Sequence, residues 1–385
     1  MTKQWVRTFQ DGNAGERDLL GGKGANLAEM TRIGLPVPPG FTITTDAFRA
    51  FQMSGEMPAG LWDEVRTALT EVERVIDRQF GNPDCPLLVS VRSGARDSMP
   101  GMMDTILDVG LDADTVDGLA VLSGERFAWD SWRRLIQMYG RVVLGADGEA
   151  FEAALTAARR RAGVEEDHEL NVASLQELVA EFKAIVARTG TPFPDDPWDQ
   201  LRGAVLAVFR SWDSPRAVAY RRATGLGNGG GTAVNIQAMV FGNTGATSAS
   251  GVAFTRNPNT GAPGMFGEYL PNAQGEDVVS GVRTPLSIDR MAEDPAFSQA
   301  HADLLSAGEL LERHFTDMQD LEFTIERGRL WMLQTRTGKR TATAAVRMAV
   351  DMVREALIDE PAAVGRVRPA DIDALLHPQI DPAFT

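Results

Sequence analysis

The 385-residue chain sets 38 Lys and Arg against 53 Asp and Glu, a formal charge of −15, with 43% hydrophobic and 24% charged residues. That length predicts two or three lobes built around ordinary globular cores. The acidic balance argues against nucleic acid or an anionic membrane as partner, and a polyanionic substrate would need locally concentrated Arg and Lys. Cys85 is the sole cysteine, so no internal disulfide can form. The first ten residues, MTKQWVRTFQ, lack the apolar core of a signal peptide, and no apolar run is long enough to cross a bilayer. A soluble, cytoplasmic protein is expected.

Along residues 1–111 the pattern is mixed helix and strand. Gly21-Gly22-Lys23-Gly24 is a glycine-rich turn leading into a helix that Gly34-Leu-Pro-Val-Pro-Pro-Gly40 stops. FTITT reads as a strand, and Asp46 as the cap of the next helix. Leu87–Val91 reads as a buried strand that delivers Arg92 at its end, with Arg92 and Arg96 exposed. Met99-Pro-Gly-Met-Met-Asp104 then suggests a mobile cover.

Residues 112–197 change character. Trp129, Trp132, Ile136 and Tyr139 fall at helical spacing. So do Leu175, Leu178, Phe182 and Ile185, behind a capping box of Ser174 and Glu177. This helical segment ends at the proline-rich Thr191–Pro197. Residues 198–220 are helical again, and strands follow from Thr232: AVNIQAMVF, GVAFTRN and FGEYL. After Lys339 the helical pattern returns and thins into an Asp- and Pro-rich tail.

Two phosphate motifs are absent in substance. The letters GxGxxG occur at Gly225–Gly230, but after a helix and before a strand, the reverse of a dinucleotide fingerprint, so a flexible connector is expected. No GxxxxGK[ST] occurs. None of the four histidines, His168, His301, His314 and His377, has a context that suggests a nucleophile.

The most informative segment is a hairpin. In Asp320–Ile325 the two-residue period puts Asp320, Glu322 and Thr324 on one face, with Leu321, Phe323 and Ile325 on the other. In Leu330–Arg336, Gln334 and Arg336 share a face opposite Trp331 and Leu333. A two-residue turn would mix the faces. A three-residue loop, Arg327-Gly328-Arg329, sets Glu322 opposite Gln334, Asp320 opposite Arg336, Phe323 opposite Leu333 and Ile325 opposite Trp331, and is the expected register. Two carboxylates and an amide oxygen suit magnesium, and a guanidinium suits phosphate. By itself the same face could equally be a solvated surface carrying an Asp320–Arg336 salt bridge. Lys23, Arg92, Arg96, Arg133 and Arg134 add the cations that a polyanion requires.

The wording of several segments resembles a known family. Leu20-GGKGANLAEM-Thr31, Leu88-VSVRSGARDSMPGMMDTIL-Asp108, Gln237-AMVFG-Asn243, Gly251-VAFTRNPNT-Gly261, Gln274-GEDVVSGVRT-Pro285 and Met318-QDLEFTIERGRLWMLQTRTGKRT-Ala342 are similar to the nucleotide-binding part of the pyruvate, phosphate dikinase family. Phosphoenolpyruvate synthase shares the outline, but MPGMMDT and TRNPNTG are closer to the dikinase. The resemblance implies an α/β (α+β) ATP-grasp fold with 112–197 inserted as a helical subdomain. Residues 1–111 and 198–240 would form the first lobe, 241–340 the second lobe with the metal hairpin, and 341–385 a helical linker.

The resemblance also implies roles. Lys23 and Arg92 match phosphate-binding cations. Gln237 and the Met239, Val240 and Phe241 backbone match the adenine edge. Glu276 matches a ribose contact, with Asp277 beside it. Asp320, Glu322 and Gln334 match magnesium and phosphate positions, and Arg336, with Arg134, a cation that stabilises the transferring group. The family's reaction takes Mg–ATP, phosphate and pyruvate to AMP, diphosphate and phosphoenolpyruvate through a phosphohistidine. No Ser-His-Ala-Ala segment and no pyruvate-binding barrel occur here, so that histidine domain is expected elsewhere in a longer chain or in trans. An ATP-sensing regulatory module and a phosphoenolpyruvate synthase-like phosphotransferase are the rival readings. The oligomeric state is left open, a homodimer included.

Overall fold

The computed structural model describes residues 3–97, 99, 101–227, 230–280 and 283–376. The chain divides into two compact units, Met1–Gly34 with Pro38–Met239, and Leu35–Val37 with Val240–Thr385. Each is helices on one antiparallel sheet.

In the first unit the strands are β1 (Val6–Thr8), β2 (Gly40–Ile43), β3 (Val89–Ala95), β4 (Thr105–Val109) and β5 (Thr232–Ala238). Their order is β1-β2-β5-β3-β4, antiparallel throughout. The central strand β5 is buried along its whole length, its polar Thr232, Asn235 and Gln237 included. The helices are α1 (Arg17–Arg32), α2 (Thr45–Ser54), α3 (Leu61–Ile76), α4 (Thr115–Ser123), α5 (Glu125–Val142), α6 (Gly148–Ala162), α7 (Val172–Ala187), α8 (Pro197–Ser211) and α9 (Pro215–Thr224). Between β4 and α8 the described residues form no strand.

Three local expectations need correction. Arg92 lies in the middle of β3, not at its end, and is only 8% exposed. Asp46 does not cap α2: Thr44 stands at the N-cap, and Asp46 in the first turn pairs with Arg49 at 2.9 Å. Helix α7 begins three residues before the expected capping box, because Asn171 Oδ1 accepts the Ser174 N–H and starts the helix there.

The glycine-rich turn is a kink within α1. Gly21 has φ 68° and ψ 170°, which breaks the helix and restarts it at Gly22. A Cβ on Gly21 would stand 1.8 Å from the Gly94 carbonyl oxygen, and one on Gly24 2.7 Å from both Asn235 Oδ1 and Thr42 Oγ1. Glycine is needed at Gly21 for backbone conformation and for room. Gly21→Ala is therefore expected to lose several kcal/mol, more than the ~1 kcal/mol of a typical point substitution. A urea unfolding curve checks this.

The second unit holds β6 (Ala249–Arg256), β7 (Pro263–Pro271), β8 (Leu286–Ser287), β9 (Gln319–Glu326) and β10 (Arg329–Thr337), in the order β10-β9-β6-β7-β8. Its helices are α10 (Gly275–Ser280), α11 (Ser298–Phe315), α12 (Ala342–Arg354), α13 (Glu360–Arg366) and α14 (Pro369–Leu376). Leu321, Phe323 and Ile325 are at most 1% exposed on the apolar face. Helix α11 approaches that face where Gly308 lies near Leu321. The opposite face carries the hairpin's polar row. Phe254, which pairs across from Asp320, packs there against Met318, Ala344 and Met348, so α12 covers one end of the row.

Candidate functional site

The hairpin turn has two residues, not three. Arg329 pairs with Glu326, Leu330 with Ile325, Trp331 with Thr324 and Met332 with Phe323. Arg327 and Gly328 both have positive φ, 50° and 81°, the signature of a type I′ turn whose twist matches the strands. The expected pairs Phe323–Leu333 and Ile325–Trp331 are therefore absent. The register then shifts between Met332 and Gln334, leaving Leu333 as an extra residue. Beyond this bulge Gln334 faces Glu322 and Arg336 faces Asp320. The two polar pairs form as expected, but through a bulge rather than a longer loop.

Both pairs are closed by side-chain hydrogen bonds. Gln334 Nε2 donates to Glu322 Oε1 at 2.8 Å, and Arg336 Nε donates to Asp320 Oδ2 at 2.7 Å. Asp320 and Gln334 are each 8% exposed, whereas the Arg336 side chain is 40% exposed. Gln334 is thereby oriented with its amide nitrogen toward Glu322, and its carbonyl oxygen remains as an acceptor. The donor set is two carboxylates and an amide oxygen, which fits a hard cation such as magnesium. Among the described residues no group of three or more His, Cys, Asp or Glu is placed to hold a metal ion.

The polar row continues along β9 through Thr324 to Glu326. Asp320 to Glu326 spans about 20 Å at strand rise. Its far end is tied to the segment expected to form the adenine edge. The Phe241 N–H donates to Glu326 Oε1 at 3.1 Å. Gly242 lies so close that a Cβ would stand 2.3 Å from Ser250 Oγ, and Ser250 pairs across from Thr324. Val252, opposite Glu322, packs against Leu270, Ala273 and Val278, which brings the start of α10 onto this face. Glu276 lies exposed in the first turn of α10, and Asp277 accepts the Gln274 N–H at 2.9 Å. Glu326 was not singled out in the sequence. Its place in the alternation of Asp320, Glu322 and Thr324 was the available signal.

In the first unit a second set converges. Thr42, Asn235 and Arg92 lie abreast on β2, β5 and β3. Arg92 Nη1 donates to Gln237 Oε1 at 3.1 Å, and Gln237 Nε2 donates to the Pro38 carbonyl at 3.1 Å. Gln237, only 1% exposed, thus spends both ends of its amide on the protein and holds Arg92. Helix α1 meets the same face at Gly24, next to Lys23 in the first turn of its restarted segment. The Met239 N–H donates to the Leu88 carbonyl at 2.9 Å. Arg96 is exposed and pairs with Asp18 at 2.6 Å. The expected cover 99–104 includes Pro100, the connector 225–230 includes Asn228 and Gly229, and the tail begins its last stretch at His377; these lie outside the described residues.

Arg134 is on α5, a helix packed against β4. Its Nε bonds Asp130 Oδ2 at 3.2 Å, while Arg133 takes Asp130 Oδ1. Burial acts to raise the Asp130 carboxyl, but Arg133 and then Arg134 outweigh it and hold it well below the usual carboxylate range. A depressed folded value means stability that is present above the ordinary aspartate value, about 3.9, and lost as pH falls toward the folded one. Asp130→Asn is expected to flatten that acid limb of the pH–stability curve, measured by urea titration at pH 2–7.

Two antiparallel sheets with helices, one carrying an oxygen-and-cation row and the other a buried arginine beside a helix start, define a mixed helix-and-sheet protein. A family model described as "Pyruvate phosphate dikinase, AMP/ATP-binding domain" matches residues 17–63, 53–303 and 288–357. The chain belongs to that family. "Pyruvate, phosphate dikinase" of Rhizobium meliloti (strain 1021) is 53% identical over 396 residues, covering 98% of this chain and 44% of that protein. The Clostridium symbiosum protein of the same name is 52% identical, covering 99% and 44%, and "Pyruvate, phosphate dikinase 2" of Oryza sativa subsp. japonica is 53% identical, covering 96% and 42%. The chain thus spans less than half the length of these curated relatives. Among the described residues no helix is long and apolar enough to cross a membrane.

Proposed function

We propose that the chain binds ATP as its magnesium complex and transfers a pyrophosphoryl group to a histidine on a separate domain, as the nucleotide-binding part of a pyruvate, phosphate dikinase. The observation that carries this is the bulged hairpin, which fixes Asp320 against Arg336 and Glu322 against Gln334 on one face. The fold is read as ATP-grasp, with 112–197 as the inserted helical subdomain and 341–385 as the linker toward the histidine domain.

Asp320, Glu322 and the Gln334 carbonyl oxygen would hold the magnesium ion. When bound, the ion would neutralise the triphosphate and hold it in one conformation. Arg336 spends its Nε on Asp320, which leaves the terminal nitrogens of a fixed guanidinium for phosphate oxygens. Lys23 and Arg92 supply further phosphate cations, with Arg92 locked by Gln237. Arg134, steadied by Asp130, is a second stabiliser of the transferring group. Met239, Val240 and Phe241 offer the adenine edge, and Glu276, beside Asp277, the ribose contact.

In this reading an imidazole nitrogen attacks the β-phosphorus, the bond to the α–β bridging oxygen breaks, and AMP leaves. An oxygen of inorganic phosphate then attacks the γ-phosphorus and departs as diphosphate, leaving phosphohistidine to phosphorylate pyruvate. The spread negative charge is met by fixed cations, which is electrostatic catalysis. Mixing the chain with a phosphohistidine domain of the family and β-labelled ATP should yield AMP and a labelled histidine. Tight ATP binding with no AMP under those conditions would instead support a regulatory ATP sensor.

A further inference from the structure

In the second unit, two short segments meet beside the polar row: residues 240–245, and residues 272–277 leading into α10. The Ala273 N–H donates to the Gly242 carbonyl at 2.9 Å, and the Asn272 N–H to the Ser248 carbonyl at 2.8 Å. Gly242 is pressed against Ala273, whose carbonyl oxygen a Cβ would meet at 2.4 Å. Asp277 closes the second segment by accepting the Gln274 N–H, and its own N–H returns to the Gln274 carbonyl at 3.0 Å. The backbones are therefore held in place on both sides.

Each segment nevertheless carries a buried polar atom with no hydrogen-bond partner. On one it is Asn243 Oδ1, an acceptor; on the other it is Gln274 Nε2, a donor. Gln274 is only 6% exposed. Folded proteins satisfy nearly all such groups, because an unmet one costs the full price of its desolvation. Apolar residues would fill the same space without that cost, as Ala273 and Val278 do nearby. An unmet donor and an unmet acceptor on adjoining segments suit a ligand that presents the opposite pair.

We infer that Gln274 and Asn243 read the base of the nucleotide, Gln274 donating to a ring nitrogen and Asn243 accepting from an exocyclic amino group. This rests on the reading of the 239–241 segment and Glu276 as nucleoside contacts. Adenine offers an amino donor beside the N1 acceptor, whereas guanine sets a carbonyl oxygen at the amino position and carries a hydrogen on N1, so it opposes the Gln274 donor as well. That oxygen would oppose Asn243 Oδ1, so the pair selects amino-purines. Gln274 and Asn243 are thus specificity determinants rather than participants in phosphoryl chemistry.

The test compares wild type with Gln274→Met, which keeps the length of the side chain and removes its amide. Binding of Mg–ATP, Mg–GTP and Mg–tripolyphosphate is measured by calorimetry on the 385-residue chain, together with the melting temperature of the free protein. The expected result is a roughly tenfold loss for ATP, the scale of one hydrogen bond, with tripolyphosphate unchanged. The preference for ATP over GTP should shrink, and the free protein should melt at the same temperature or higher. Unchanged ATP binding, or equal losses for ATP and tripolyphosphate, would overturn the inference. If Gln274→Met does not fold, the isosteric Gln274→Glu is read by the same criteria. Wild type that binds ATP no better than tripolyphosphate would defeat the nucleotide-site reading itself, a different failure.

Discussion

Glu322→Ala is expected to lower magnesium-dependent ATP affinity and the yield of AMP in the reconstituted reaction by at least about 100-fold. The change removes one of two carboxylates from the proposed metal set and leaves Gln334 without the acceptor that orients it. Its effect should vanish when ATP binding is measured in excess chelator, because the remaining contacts do not pass through Glu322. Arg336→Ala should act differently. It leaves Asp320 without its guanidinium partner but keeps both carboxylates, so ATP affinity should fall modestly while AMP formation falls about 10²- to 10³-fold. Calorimetry with and without magnesium, paired with single-turnover AMP release, separates the two variants. If Glu322→Ala binds Mg–ATP and turns over like wild type, the hairpin is only a salt-bridged sheet surface.

The second large effect concerns stability. Arg256 at the end of β6 is 3% exposed and holds two carboxylates. Its Nε bonds Glu312 Oε1 of α11 at 2.7 Å, and its two terminal nitrogens fork onto the Glu355 carboxylate just past α12. Burial works against the Arg256 charge, but the two glutamates outweigh it and hold the guanidinium firmly protonated. Arg256→Met should destabilise by about 3 kcal/mol, mainly because the buried Glu312 loses its counter-charge, while Glu355, whose side chain is 38% exposed, stays solvated and adds little. The triple variant with Glu312→Gln and Glu355→Gln should recover part of that loss. Urea unfolding of the single and triple variants measures both quantities, and full stability in Arg256→Met would show that the cluster contributes nothing.

The hairpin shows where sequence reasoning runs out. The alternation in Asp320–Ile325 has the period of a strand, and a strand it is. The meeting of Glu322 with Gln334, and of Asp320 with Arg336, was legible because both faces had to segregate. The means was not. A bulge at Leu333 leaves no mark in a count of residues, since it and a longer loop move the far pairs by the same one position. The turn dihedrals decided between them: Arg327 in the left-handed region beside Gly328 makes the tight turn, and the twist it imposes places the extra residue farther along.

The first unit shows the same division. Strand patterns marked β2, β3 and β5, and the glycines before Ala25 marked a turn leading into a helix. In the structure that turn is a kink within α1 that allows close packing over Gly94, which only the opposing strand reveals. Arg92 looked like an exposed residue at a strand end, yet it is buried and held by Gln237, a residue 145 positions away.

The sequence by itself determined the acidic charge, the lone cysteine, the periodicities of the elements and the motif wording that resembles one family. Those are local properties, written in composition and in neighbours a few positions apart. Only the tertiary structure decided which of these residues are paired, buried or left with an unmet hydrogen bond. Register, bulges and side-chain partners depend on strands and helices distant in the chain, and the free energy that selects them comes from packing those distant pieces together.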